Sequence, residues 1–404
     1  MSGPSISFRP FIEVAGIYDS GLAGVGVSPQ GQVPNISSDG VSLAFGVSGS
    51  HSWRHTQIGL DYHGDIEHYF HDQYYDSTNH TLMLGIKHQF TRHIAINMRN
   101  SAGTFSTTYP YLGLAQTVPF DPAQSDIPTT VFFNNRTIYA NSMIDLIIQK
   151  SSRLSFDIGG GAFINRFRSD ALYGANGETA RADIQYRLSR RSTIGAAYSY
   201  NHFVFKQIIS STDMHTADVT YAVQLSKNLE FTGYGGISRV ETKFVQDVPV
   251  DPAITAILGI TTGLRLSYSV RYTPDVSARV SRTFAHGVAF ANAGHTVIPG
   301  NGLFLTSTST VANAGYTYTG LRRWSFNLSA GYSRNKSIGN VIGTYGSITG
   351  GVSASRQISR GLHMIASFNA IQYNSPDFQE YNRVTYLARL GFGFAPGDVP
   401  LRIW

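Results

Sequence analysis

The chain has 404 residues, a formal net charge of +6, no cysteine, 12% aromatic residues and only 14% charged ones. The missing cysteine excludes a disulfide framework, a thiolate nucleophile and Cys-ligated zinc, and there is no run of about 18 apolar residues that could cross a membrane as a helix. A soluble domain carries roughly 25% charge, so the polar load here falls on Ser, Thr, Asn, Gln and 41 Gly, and the scattered basic residues match no nucleic-acid-binding pattern.

The first ten residues, MSGPSISFRP, lack the apolar segment of a secretory signal. The chain therefore reads as a mature form from which such a leader is already gone. HGDIEHYFHD follows at His63–Asp72, with His63, Asp65 and Glu67 on one strand face. N and O ligands of that kind suit zinc or a similar ion, but alternating polar residues produce the same spacing without any metal. Thr104–Phe133 is long, nearly uncharged and rich in Pro, and its length allows it to fold into a barrel and narrow it.

From about residue 180 the alternation is plain. ARADIQYRL sets Ala180, Ala182, Ile184, Tyr186 and Leu188 against Arg181, Asp183, Gln185 and Arg187. HTADVTYAVQL sets Val219, Tyr221 and Leu225 against Asp218, Thr220 and Gln224. The apolar loop AITAILGITTGL (253–264) could plug a pore, meet a partner or pack on its neighbours. LRLSYSVRYTPDVSARVSRTF (264–284) then alternates for 21 residues, with Arg265, Arg271, Asp275 and Arg279 on its polar side. Transmembrane strands need about ten residues, so this one continues beyond the lipid, where Pro274 is tolerable. RWSFNLSAGYS (323–333) repeats the pattern with Trp324, Phe326, Leu328 and Tyr332. Period two means two different environments on the two faces of a strand.

Short turns are expected at 52–55, 90–93, 150–153, 189–192, 226–228, 284–287, 320–323 and 359–361. Longer joins are expected at 19–40, 67–77, 105–134, 168–177, 206–213, 245–263, 297–304, 335–343 and 375–380. Strict alternation of the two kinds gives about eighteen antiparallel up-and-down strands in one domain, with strands from about 6 to 394 and a tail at 395–404. A soluble propeller or sandwich would show shorter strands and repeated blade signatures. The pattern predicts a transmembrane all-β barrel with short periplasmic turns, long extracellular loops, an apolar exterior and a polar lumen.

By parity the lumen receives Asp61, Asp65, Arg181, Asp183, Arg187, Asp218, Arg265, Arg271, Arg279 and Arg389. Arginines in a pore favour anions, and opposed acidic and basic walls create a transverse field; alternatively these charges pair and select nothing. Trp53, Phe90, Phe284 and Trp324 sit beside short turns, and Tyr200, Tyr272 and Tyr332 lie toward the other end, as two aromatic girdles would. Basic turn residues such as Arg322 and Arg323 could meet anionic headgroups. No GxSxG elbow, phosphate loop or other catalytic constellation is present, so the expected chemistry is passage without catalysis, cofactor or metal.

The last alternating segment, VTYLARLGFGF, carries Tyr386, Phe392 and Phe394 on one face. It resembles the C-terminal assembly signal of Gram-negative outer-membrane barrels, which ends in an aromatic; Phe394 or the terminal Trp404 would take that role. As architecture the whole chain resembles the β-barrel porin families associated with exopolysaccharide export. That resemblance implies an outer-membrane channel for polar solutes, carbohydrate or exopolysaccharide, with lipid and the barrel-assembly machinery as partners and no nucleic acid. The competing expectation is a non-conducting scaffold whose lumen is plugged by 105–134 and 245–263.

Overall fold

Alternation this regular is realised as very long strands. The computed structural model describes residues 5–22, 36–106, 136–170, 172–251, 253, 256–257, 259, 261–299, 302, 305–338, 343–377, 379, 382–397 and 399–402. Among them the first strands are β1 (Ser5–Leu22), β2 (Ile36–Ser52), β3 (Thr56–Tyr69), β4 (Ser77–Thr91), β5 (Ile94–Phe105) and β6 (Thr137–Gln149). They continue as β7 (Leu154–Phe167), β8 (Ala175–Arg187), β9 (Ser192–Phe205), β10 (Ser210–Ser226), β11 (Leu229–Pro249) and β12 (Thr262–Phe284). The remainder are β13 (Gly287–Ile298), β14 (Ser307–Tyr318), β15 (Trp324–Ser337), β16 (Thr344–Ser359), β17 (Leu362–Asn374), β18 (Arg383–Phe394) and the short β19 (Val399–Arg402).

Strands β1 to β18 each pair antiparallel with their sequence neighbours, and β1 also pairs with β18, from Ile12 opposite Phe394 to Asp19 opposite Leu387. The sheet is thereby an antiparallel barrel of eighteen strands closed on itself, which leaves no general edge and satisfies backbone groups without water. No described helix is long and apolar enough to cross a membrane.

All eight expected short turns lie at one end, between β2 and β3, β4 and β5, and so on to β16 and β17. Two details differ from the expected plan. The 206–213 join is a tight turn, because Ser210 already pairs with Phe205 and the strands resume at once. The 395–404 segment is not simply a tail, since β19 runs along the start of β1, Ser5 opposite Arg402 to Phe8 opposite Val399. Trp404 and residues 107–135 lie outside the described residues.

β11 and β12 outgrow the barrel. They pair with each other from Leu229–Arg282 up to Pro249–Thr262, but β12 meets β13 only from Val276–His295 downward. Above Val276 β12 is held on its β11 side only, and the hairpin clears β10 beyond Ser267, which is level with Phe244 and Ser210 where the β10–β11 pairing ends; Pro274 sits where the β13 ladder has already ended. The described residues within 251–261 crown that hairpin and are exposed. The described residues of 245–263, the segment expected as a plug, continue the β11–β12 pairing, and those at 251–261 are exposed.

Outward positions carry Ile12, Val14, Leu43, Leu60, Ile184, Val219, Leu328 and Leu390, all large and exposed. Inward positions carry the polar residues, together with small apolar clusters near the long-connection end, such as Met214, Val240, Val297 and Ile338. A barrel with that inversion of the usual inside and outside is a membrane-spanning one.

Candidate functional site

Register assigns heights to the inward charges. Asp157 lies opposite Asp183, Asp183 opposite Ala197, Ala197 opposite Asp218, Asp218 opposite Gly236 and Gly236 opposite Asp275. Four carboxylates therefore share one level along the wall of β7–β12. Directly above them Asp145, only 1% exposed, receives Arg99 at 3.1 Å and Arg181 at 2.8 Å. Arg187 and Arg279 fall together on a row four residues lower, toward the short turns, joined through Thr193, Ala222 and Thr232. Arg271 lies level with Val240 of β11 and Met214 of β10, and only Arg265, beyond the last β10–β11 pair, stands in the projecting hairpin. The expected basic cluster is thus spread over four heights, with an acidic arc between the two lowest.

A second polar group braces the seam where the barrel closes. Arg389 on β18 lies level with Ile17, Gly40 and Tyr69 and reaches across β1 and β2 to β3. There it meets Asp65 at 3.3 Å and Glu67, while Ser77 Oγ donates to Glu67 Oε2 at 2.7 Å. All three charged side chains are buried: Arg389 is 9% exposed, Asp65 8% and Glu67 2%. Gly40 lets β2 pass close to β3, since a Cβ there would come within 2.1 Å of the His68 carbonyl oxygen. The candidate metal group is divided by these pairings, with His63 Nδ1 on Asp61 at 2.5 Å and the other two acids on Arg389. Among the described residues no three His, Cys, Asp or Glu side chains are arranged to hold a metal.

The wall of β14–β17 differs in kind. Its inward side chains are hydroxyls and amides, among them Asn313, Asn327, Ser333, Ser347, Ser355 and Asn369, with Ser325–Ser355 and Ser333–Ser347 hydroxyl pairs at 2.8 Å. Charged and uncharged polar walls therefore occupy different sectors of the barrel interior.

In the connection between β13 and β14, the described residues Gly302, Leu305 and Thr306 reach residues of β8, β9 and β10 and the join before β8. Gly302 O accepts from Tyr173 N–H at 2.8 Å. Leu305 is buried among Ala175, Phe203 and Phe205. The hydroxyls of Thr306 and Thr212 share a hydrogen bond of 2.7 Å. Strands lie about 4.8 Å apart, so going round the wall from β14 to β8 covers roughly 29 Å. Gly302, Leu305 and Thr306 thus join the β14 side of the wall to β8–β10, strands that lie up to a third of the perimeter away. Gly302 has φ +90°, and a Cβ there would approach the Phe167 ring at 3.0 Å, so this position requires glycine. These contacts went unrecognised in the sequence, where 297–304 reads as one of the longer joins. Leu305, an apolar residue at the end of a Pro- and Gly-containing join, was the available signal.

Outside, Trp53, Phe90 and Phe284 are exposed next to short turns, and Trp324 lies under the Arg356 guanidinium at 5.4 Å. Tyr272 and Tyr332 are exposed toward the other end. There the outward polar groups begin: Tyr200 OH donates to Asp213 Oδ1 at 2.8 Å, His202 Nδ1 lies 2.7 Å from the same oxygen, and Arg239 pairs with Glu241. Tyr386, Phe392 and Phe394 also face outward on β18.

No family model matches the chain, and no curated protein matches it. Among solved structures it is similar to Pseudomonas aeruginosa OpdQ, with 10% identity, a TM-score of 0.43 and 98% of each chain covered. OpdO of the same organism gives 11% identity and a TM-score of 0.45, covering 98% of each chain. OccK2 (OpdF) in complex with glucuronate gives 10% and 0.44, covering 98% of this chain and 100% of that one. At such scores no residue or substrate is carried over, and the barrel rests on its own strand pairing.

Proposed function

We propose that the chain is an outer-membrane channel for polar solutes, with the short turns in the periplasm and the long connections outside. The observation that carries this reading is a closed eighteen-strand wall, apolar outside and lined inside by charges, hydroxyls and amides. A wall of that circumference encloses a wide lumen unless loops fill it. The hydroxyl and amide face of β14–β17 favours carbohydrate, including a polysaccharide strand, because sugar hydroxyls exchange hydrogen bonds with such groups without a charge penalty.

Single-channel conductance of refolded protein in a planar bilayer, with oligosaccharides added, tests both levels. Stable steps that oligosaccharides block are the expected result. Steps without block would leave the channel and remove the carbohydrate; silence from folded, heat-modifiable protein would mean a scaffold with a closed lumen.

The acidic arc sets the sign of selectivity. Asp183→Asn with Asp218→Asn should move the reversal potential in a KCl gradient several millivolts toward anions, since fixed charge at a constriction selects by sign. Arg265→Ser should leave it unchanged, because that end of the hairpin stands above the last β10–β11 pair. The opposite ranking of the two variants would sink this placement.

A further inference from the structure

On β12–β17 the apolar exterior is interrupted. Ala278, Ala293, Ala312 and Ala330 face outward and floor a shallow groove of about 530 Å³ edged by Tyr332 and Ile348. One outward row on β1–β3 instead carries Val14, Leu43 and Ile66. Immediately above the groove, the same Tyr332 and Ile348 border a second recess of about 220 Å³ that holds Arg334, Gln372 and Asn374. His295, Thr310 and Arg334 form one cross-strand row there, with His295 Nδ1 and Thr310 Oγ1 2.7 Å apart. Lys336 follows two residues higher on β15, and both cations are exposed. Asp377, beside the next row up, accepts from Thr344 N–H at 2.7 Å.

The height of this row matters. Trp324, paired with Arg356, marks the short-turn girdle, and Arg334 comes ten residues later on the same strand. Ten residues rise about 33 Å, or about 25 Å at a barrel tilt near 40°, the height of the apolar band in such proteins. Arg334 and Lys336 therefore reach the opposite interface, where lipid headgroups lie.

We propose that this face holds one phosphate-bearing lipid, with an acyl chain in the alanine groove and the phosphate against Arg334, flanked by Lys336 and His295. An unfilled recess forfeits dispersion contacts along its lining, and a chain lying in it restores them. The volume is that of an ordinary ligand site, about 300–1,000 Å³. A guanidinium fork matches phosphate oxygens in pairs, and a fixed cation at the interface lengthens the stay of an anionic head. Charge and shape thus specify the two ends of one amphiphile. The inference rests on the membrane-spanning reading, not on conduction.

Native mass spectrometry of detergent-refolded protein incubated with diphosphoryl lipid A tests it. One retained lipid per barrel is expected. Arg334→Gln with Lys336→Gln should weaken retention about thirtyfold, at about 1 kcal/mol per cation. Ala312→Leu with Ala330→Leu should weaken it too, by occupying the groove, while Arg166→Gln, on the outward face of β7, should not. Retention by the double-Gln variant equal to that of the parent, or an equal loss in Arg166→Gln, overturns the site. So does folded, heat-modifiable protein that retains no lipid A, a result that leaves the channel untouched. If the groove variant misfolds, the charge variants decide alone, since their side chains are exposed.

Discussion

Leu305→Ala combined with Thr306→Val should raise single-channel conductance about twofold, because the loop before β14 loses its hold on β8–β10 and the mouth widens. Leu305 is the apolar anchor among Ala175, Phe203 and Phe205, and Thr306 makes the hydroxyl contact to Thr212. Truncating a buried leucine costs about 2–5 kcal/mol, and losing one hydrogen bond costs about 1 kcal/mol. A combined loss of about 3 kcal/mol changes the ratio of docked to undocked loop more than a hundredfold. The loop carries no barrel strand, so the barrel itself should keep its heat-modifiable mobility. Gly302→Val reaches the same end by another route, through a strained φ and a collision with Phe167. Unchanged conductance in both variants would mean that the narrowest point lies elsewhere, and the contacts of Leu305 and Thr306 with β8–β10 would lose their functional meaning.

Arg389→Leu should lower stability by about 4 kcal/mol, read as a urea midpoint lower by roughly 1 M or more in lipid vesicles. The arginine spans from β18 to β3 and is the shared partner of Asp65 and Glu67. Removing it leaves two acids uncompensated in a place from which water is largely excluded, and breaking a buried pair on one side is the costly way to break it. Adding Asp65→Asn and Glu67→Gln to the same variant should recover much of the loss, since the neutral amides need no counter-charge. A midpoint that drops no further than that of an exposed control such as Arg322→Leu would show that lumen water already screens the group.

Faces were legible in the sequence because side chains alternate with period two, whatever the tertiary arrangement. That rule alone placed Val219 and Tyr221 outside and Asp218 inside, and it showed in 264–284 a strand too long for the lipid. Turns such as Ser226–Leu229 and Phe284–Gly287 were legible because the pattern stops and restarts within a few residues. Heights were not legible. Asp157, Asp183, Asp218 and Asp275 are far apart in sequence but share a level, whereas Arg265 is on the same strand as Asp275 and stands in the overhang. Level depends on how much each strand slips against the next, and that follows from hairpin register around the whole wall rather than from any local motif. The same limit hid the reach of Arg389 to Glu67 and the contacts of Leu305 and Thr306 with β8–β10, since both join segments distant along the chain. The tight 206–209 turn was misjudged for a simpler reason: Lys206 and Gln207 look like loop residues whether the loop is long or short.

The seam between β1 and β18 carries a kinetic consequence. Every other pairing among β1 to β18 forms between neighbours in the chain. Ile12, however, must find Phe394, 382 positions away. Joining ends that distant costs about 5 kcal/mol of chain entropy before any contact rewards it. A sheet of seventeen ordered junctions has already spent most of that search, so closure comes last and its rate depends on how well the first strand is presented to the final one. Until then the two unpaired margins are sticky, and the β19 segment lying along Ser5–Phe8 offers a short second grip that holds them in register while the cylinder zips.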